Sequence, residues 1–278
     1  MIDFTKMEGC GNDFIVVDGR SQRLDADLSG LGRRLCARTT GIGADGLIVL
    51  RAATDSDAAY AVDIINASGL PAEMCGNGAR CVALYAIKHG IAPPQHHFAT
   101  LAGRIGARLL DNGEVGITLT APTGVALNQQ VSAAGRSWAL DYANTGVPHA
   151  VIWVDEPLDR VDVPGLGPAL RHHPLFPHGT NVNFVARTAD GLAIRTFERG
   201  VEAETQACGT GASAAALLAW LRGYASTQVR VHTRHGGVLS IAIEPVTASV
   251  PRLRLAGPAH AVFTGRIAAA GHGSAMAI

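Results

Sequence analysis

The sequence predicts a strand-rich α/β (α+β) protein made of two domains of like topology, each holding one long helix, with a cleft between them. Three observations predict it. A stretch from Met74 to Gly90, MCGNGARCVALYAIKHG, recurs from Ala207 to Gly223 as ACGTGASAAALLAWLRG. At a constant offset of 133 positions Cys75 meets Cys208, Gly76 meets Gly209, Gly78 meets Gly211 and Gly90 meets Gly223. The same offset carries Thr100 and Gly103 onto Thr233 and Gly236, so the duplication runs past the helix into a following hairpin. Elsewhere short alternating or continuous apolar runs dominate, which is the pattern of strands.

Taken in order, residues 1–19 read as a strand pair bent at Gly9 and Gly11, the second strand carrying Phe14-Ile15-Val16-Val17. Ser29 to Arg38 is amphipathic, with Leu28, Leu31 and Leu35 at helical spacing. GIGADGLIVL (41–50) is a glycine-rich turn feeding a buried strand, and Tyr60 to Asn66 alternates as another before the turn Ala67-Ser68-Gly69. In the repeated helices Asn77 and Thr210 are the expected N-cap types, and Gly90 and Gly223 sit where a left-handed glycine ends a helix. Residues 120–124 and the low-complexity patch up to Ser132 read as a crossover. Strands are then expected at Ser137–Ala143, His149–Trp153, Thr180–Ala186 and Leu192–Glu198, with a His/Pro-rich loop at 171–178. HAVFTGRIAA (260–269) reads as a strand returning to the first domain, and the last nine residues read as loose. The expected domains are 1–122 plus 264–278, and 123–263.

Composition narrows the function. The chain has 278 residues, 47% hydrophobic and 17% charged, which describes a globular protein able to bury a substantial core. With 23 basic and 23 acidic residues it has no electrostatic pull towards nucleic acid or anionic lipid. Its most apolar run, Ala212 to Leu221, is short of the ~20 residues that span a bilayer. Five cysteines (Cys10, Cys36, Cys75, Cys81, Cys208) with no secretory leader point to cytoplasmic thiols and not to a disulfide framework. No C-x-x-C or H-x-x-x-H pair suggests zinc, so no metal is expected. The expected partner is a small molecule, with no nucleic acid and no membrane; a homodimer stays open.

The repeat itself suggests chemistry. A thiol just before a helix N-terminus lies among unpaired N–H groups at the positive end of the helix dipole, which favours the thiolate. The same N–H groups can hold a carboxylate. Glycines there let the backbone approach a ligand closely. If both helices address one substrate, one sulfur removes an α-proton while the other delivers a proton to the opposite face, inverting the centre by general acid–base catalysis. Pyridoxal phosphate would need a lysine, and only Lys6 and Lys88 exist, neither beside a phosphate-cradling loop, so no cofactor is expected. The competing reading from a different class is a redox switch in which Cys75 and Cys208 form a reversible disulfide.

Several motifs together resemble one family. GCGNDFIVVD, GIGADGL, NASGLPAEMCGNGARC, NTGVPH, GTNVNF and FERGVEAETQACGTGA lie in the order found in diaminopimelate epimerases. The resemblance implies two pseudo-symmetric domains, each a curled, mainly antiparallel sheet around a central helix. It also implies a cofactor-free, two-base interconversion of LL- and meso-diaminopimelate on the route to lysine and peptidoglycan. The family's thiol pair falls on Cys75 and Cys208, with Cys208 the acceptor and Cys75 the donor in the LL-to-meso direction. The resemblance implies that N–H groups of Gly76, Asn77, Gly209 and Thr210 hold the carboxylate at the reacting centre. It assigns Asn12, Asn66, Asn183 and Arg199 to the rest of the substrate. His149 and Glu198 match the polar pair at the reacting amino group.

Two departures concern the far end of the substrate. Val147 stands where many members have asparagine before the Pro-His pair, with Asn144 a candidate to take over. The segment between Arg199 and Cys208 is also one residue longer than the common form. On the same two-thiol scaffold, relatives acting on histidine, or on proline and hydroxyproline, are the alternatives.

Overall fold

The computed structural model describes residues 1–24, 26–234, 236–247 and 249–269. The chain divides into two compact units, Met1–Val115 with Ala259–Ile278, and Gly116–Pro258. The carboxy-terminal stretch read as loose lies outside the described residues.

In the first unit β1 (Ile2–Gly9) and β2 (Asn12–Asp18) form a hairpin, followed by α1 (Leu28–Cys36). Next come β3 (Gly46–Arg51), β4 (Ala61–Asn66), the short β5 (Pro71–Ala72), α2 (Gly76–Lys88), β6 (Gln95–Thr100) and β7 (Gly103–Leu109). The β2–β3 pairing is parallel and β3–β4 antiparallel. Ile15, Val17, Leu47 and Val49 join the buried cluster around Leu31 and Leu35 of α1. The alternate residues Phe14 and Ile48 point the other way, onto Gly78 of α2. A helix on each face explains why FIVV and LIVL are apolar without alternation.

The second unit repeats this order. It contains β8 (Val115–Thr118), β9 (Thr123–Ala133), β10 (Arg136–Asn144), β11 (Pro148–Trp153), α3 (Val163–Arg171), β12 (Asn181–Thr188), β13 (Gly191–Glu198), β14 (Ala203–Thr205) and α4 (Gly209–Leu221). β15 (Gln228–His232), β16 (Val238–Val246) and β17 (Ser249–Gly257) complete it. β18 (His260–Ile267) then pairs along β1 of the first unit, as the sequence suggests. The pairings match: β11–β12 is parallel and β12–β13 antiparallel. α3 covers one face, where Val163 and Leu170 join Trp138, Leu140, Ile152, Phe184 and Phe197 in a buried cluster. α4 is buried from Gly209 to Ala219, as expected of a helix that is apolar all round.

Three expectations need correction. The crossings between units fall before the expected 122 and 263, because β8 leads directly into a bond from Leu119 N–H to the Leu253 carbonyl of the second unit, and all of β18 belongs to β1. The patch from 123 to 132 is no crossover: β9 pairs with β10 through Val131↔Trp138 and Gln129↔Leu140. Its mostly exposed side chains leave an edge ribbon without the apolar alternation that marks a half-buried strand. The sequence also did not reveal α3, whose Pro164, Gly165, Gly167 and Pro168 are poor helix formers. Burial of Val163 and Leu170 and a cap from Asp162, which accepts from Gly165 N–H at 3.0 Å, outweigh that.

Candidate active site

Both long helices begin in the same way. Cys75 lies in extended backbone (φ −139°, ψ 115°) and its carbonyl accepts the first helical bond, from Ala79 N–H at 2.8 Å. Cys208 (φ −122°, ψ 106°) does likewise with Ala212 at 2.9 Å. The N-cap of each helix is therefore the cysteine itself, correcting the expectation of Asn77 and Thr210, which sit inside the first turn. Each helix is 13 residues long and ends before a glycine of positive φ, Gly90 at +65° and Gly223 at +72°.

Around Cys75 the hydrogen bonds have a fixed direction. The buried guanidinium of Arg80 donates to Asn77 Oδ1 at 2.9 Å. Asn77 must then present its Nδ2, which donates to Asn12 Oδ1 at 3.3 Å. Asn12 in turn donates from Nδ2 to the Asp45 carboxylate at 2.5 Å, which confirms the orientation of its amide. The Cys75 thiol donates to that same Asn12 Oδ1 at 3.7 Å, while its sulfur accepts from Gly78 N–H at 3.5 Å.

Around Cys208 the direction is reversed. Asn183 Nδ2 donates to the Ala150 carbonyl at 2.9 Å and lies 3.2 Å from His149 Nδ1. A carbonyl can only accept, so Nδ2 is the amide nitrogen, and His149 Nδ1 must be an acceptor. The proton of His149 is thus on Nε2, 2.9 Å from Thr210 Oγ1. Thr210 Oγ1 accepts it, which leaves the Thr210 hydroxyl able to donate to Cys208 Sγ, 3.5 Å away. His149 is neutral: complete burial first, and the nearby Arg199 charge second, pull its pKa down to about 3.

The remaining expected residues lie at strand ends and turns. Asn66 is exposed at the end of β4, and its backbone closes the turn by accepting from Gly69 N–H at 2.8 Å. Glu198 accepts from Thr205 Oγ1 at 2.9 Å. The Arg199 guanidinium donates to the His178 carbonyl at 3.1 Å. Asn144 Oδ1 accepts from Gly146 N–H at 3.0 Å, so that amide shapes the turn leading to Val147.

The diaminopimelate epimerase family profile matches residues 4–125 and 142–260. A diaminopimelate epimerase of Hydrogenobaculum sp. is 42% identical over 274 residues, covering 95% of this chain and 97% of its own. One from Aquifex aeolicus is 40% identical, covering 96% and 98%. The chain belongs to the diaminopimelate epimerase family. It is accordingly an isomerase of the epimerase class. Among solved structures, a probable proline racemase of Agrobacterium radiobacter superposes with a TM-score of 0.74 at 19% identity, over 96% of this chain and 93% of that one, which establishes the shared fold.

In this member of the diaminopimelate epimerase family the amide of Asn183, expected at the substrate, is engaged within the protein. Asn183 is fully buried, with its amide spent on His149, Ala150 and, through Oδ1, Thr196 at 3.0 Å. It supports His149 from behind and has no open face for a substrate. Its neighbour Asn181, two residues earlier in the same GTNVNF motif, ties the Pro148 carbonyl (2.8 Å) to the Arg199 N–H (2.8 Å). Sequence reasoning missed Asn181, Arg80 and Asp45. Asn181 shares a strand face with Asn183 and stood in a motif already singled out, so period-two alternation could have found it.

Lys6 is buried and ion-paired with Asp13 at 2.7 Å, and Lys88 closes the last turn of α2. Among the described residues no group of three His, Cys, Asp or Glu side chains is placed to hold a metal ion, and no helix is long and apolar enough to cross a membrane.

Proposed function

We propose that the chain interconverts LL- and meso-diaminopimelate in the cytoplasm by a cofactor-independent, two-thiol mechanism. The observation that carries this reading is the pair of cysteine N-caps on two matched helices, in a member of the diaminopimelate epimerase family. N–H groups of Gly76, Asn77, Gly209 and Thr210 hold the reacting carboxylate, where the helix dipoles favour negative charge. From the LL substrate the α-C–H bond breaks and its proton passes to the Cys208 thiolate. The electron pair left on the α-carbon is stabilised by the clamped carboxylate. Cys75 then gives its S–H proton to the opposite face, so the turnover ends with the two sulfurs having exchanged protonation states. Glu198 receives the reacting ammonium, and His149 acts through Thr210. Arg199 and Asn66 serve the distal amino-acid head, where a guanidinium suits the second carboxylate and an amide oxygen the second ammonium. The Asn12 amide, engaged by Cys75, Asn77 and Asp45, serves the Cys75 thiol.

The test is a racemisation screen in deuterated water with no cofactor added, offering diaminopimelate, histidine and proline isomers. Deuterium is expected at the α-position of LL-diaminopimelate, and Cys75→Ala and Cys208→Ala should each lose epimerisation. Normal turnover by both alanine variants would refute the two-thiol mechanism, and exclusive turnover of histidine or proline would refute the substrate.

A further inference from the structure

The two sulfurs stand at the ends of hydrogen-bond chains of opposite polarity. Arg80, Asn77 and Asn12 deliver an acceptor oxygen to the Cys75 thiol. Asn183, His149 and Thr210 bring to Cys208 a hydroxyl that can donate to its sulfur. The difference originates beneath the helices. A Cβ on Gly78 would lie 3.0 Å from Ile48 Cδ1 and 3.4 Å from Phe14 Cε1. A Cβ on Gly211 would meet Asn183 Oδ1 and His149 Cε1, and His149 and Asn183 hold the strand positions of Phe14 and Ile48.

We infer that these buried chains preset the resting protonation, with the Asn183–His149–Thr210 chain holding Cys208 as the thiolate and Asn12 holding Cys75 as the thiol. Thr210 and Asn183 are then positioning residues that act through the sulfur and through His149. The inference rests on the two-thiol reading for its catalytic meaning but not for its measurement. An anionic sulfur gains from a hydroxyl donor, whereas a thiol proton gains from an amide oxygen. Other charged or titratable groups facing this chain are Arg199, whose charge reaches His149 and Tyr142, and Glu198 beside Thr205. The remaining cysteines stay silent. Burial pushes Cys36 up to about 12 and raises Cys10 and Cys81, which sets these three apart from the N-cap pair in a thiolate titration.

The experiment is a substrate-free titration of ultraviolet thiolate absorbance on the intact protein and on Cys208→Ala, Thr210→Val and Thr210→Ser. The lower of the two N-cap titrations is expected to vanish in Cys208→Ala. In Thr210→Val it should move up by about one pH unit, a tenfold loss of thiolate below the midpoint. Thr210→Ser, which restores the hydroxyl, should keep the original midpoint, and Thr210→Ala replaces the valine variant if that fails to fold. Persistence of the lower titration in Cys208→Ala would overturn the inference, as would an unmoved midpoint in the hydroxyl-free variant. Because no substrate is present, these outcomes are independent of which amino acid the enzyme turns over.

Discussion

The Cys75 and Cys208 half-sites share a backbone and differ in what lies under it. Each has a cysteine N-cap, a 13-residue helix and a glycine end. Beneath the third residue of the helix one unit places Phe14 and Ile48, the other His149 and Asn183. The buried charges differ too. Lys6 on β1 is neutralised by Asp13, while its counterpart by register on β10 is Tyr142, and Asp141, at the place of Thr5, is neutralised by Arg222. A duplicated scaffold thus keeps the backbone geometry of the two half-sites alike while the side chains packed beneath them differ. A reaction that takes a proton from one face and returns one to the other uses the symmetric backbone, and the unlike side chains beneath it give the two sulfurs different surroundings.

The sharpest way to break the comparison is to add one methyl group to each helix. Gly211→Ala drives Cβ into Asn183 Oδ1 and crowds His149, two side chains whose hydrogen bonds leave no slack. It should lower kcat by about 100-fold or more through the disturbed chain to Cys208, and cost roughly 1–3 kcal/mol of stability. Gly78→Ala meets only the ends of Ile48 and Phe14, which can rotate away, and should cost less than about 1 kcal/mol with a severalfold loss of rate. Turnover assays alongside urea melts measure both. Equal losses at the two sites would mean that the layer beneath the helices does not matter.

A smaller effect distinguishes the buried charges. Burial alone would raise the Asp141 carboxyl, but bonds from Arg222 and from Trp153 (2.7 Å) outweigh it and hold it below the usual range. A depressed folded-state pKa gives stability that is present above the unfolded value of about 3.9 and is lost as pH falls through the folded value. Asp141→Asn leaves Arg222 without its counter-charge and should cost about 3 kcal/mol at neutral pH. In urea titrations the gap between wild type and variant should narrow as pH drops below about 4; a gap that ignores pH would remove the ion pair as its source.

The symmetric half of this molecule was readable because helices α2 and α4 keep one offset from their caps to their final glycines. The earlier elements use another. DLSGLGRRL (27–35) matches DVPGLGPAL (162–170) at an offset of 135, with Asp, Gly, Leu, Gly and Leu aligned. At 133 α3 stays hidden behind its prolines, and Asn66 falls opposite Arg199. Leu47 pairs with Ile65 and Val182 with Phe197, so Glu198, and not Arg199, stands at the place of Asn66. The close approaches agree: a Cβ on Gly32 would meet Ile65 Cγ2 at 2.6 Å, and one on Gly167 would strike the Phe197 ring. The polarity of the two hydrogen-bond chains was not legible, because it depends on which amide atom faces which neighbour. The cap itself was misread since N-cap statistics favour Asn and Thr, whereas here the extended backbone of the cysteine opens the helix.

The smallest prediction concerns the place where the units are chemically alike. Asp27 accepts from Gly30 N–H at 2.9 Å to open α1, and Asp162 accepts from Gly165 N–H at 3.0 Å to open α3. Both carboxylates sit at positive helix ends, so Asp27→Ala and Asp162→Ala should each cost about 1 kcal/mol. The two helices differ in everything the cap does not touch: α3 holds Pro164 and Pro168 where α1 holds Ser29 and Arg33. If α3 relied on its cap to offset those prolines, Asp162→Ala would shift the urea midpoint much further than Asp27→Ala. The burial of Val163 and Leu170 argues instead that packing carries α3. Matched midpoints in the two variants would then locate the difference between the units in the layer under α2 and α4 and nowhere in the helices that cover the opposite face.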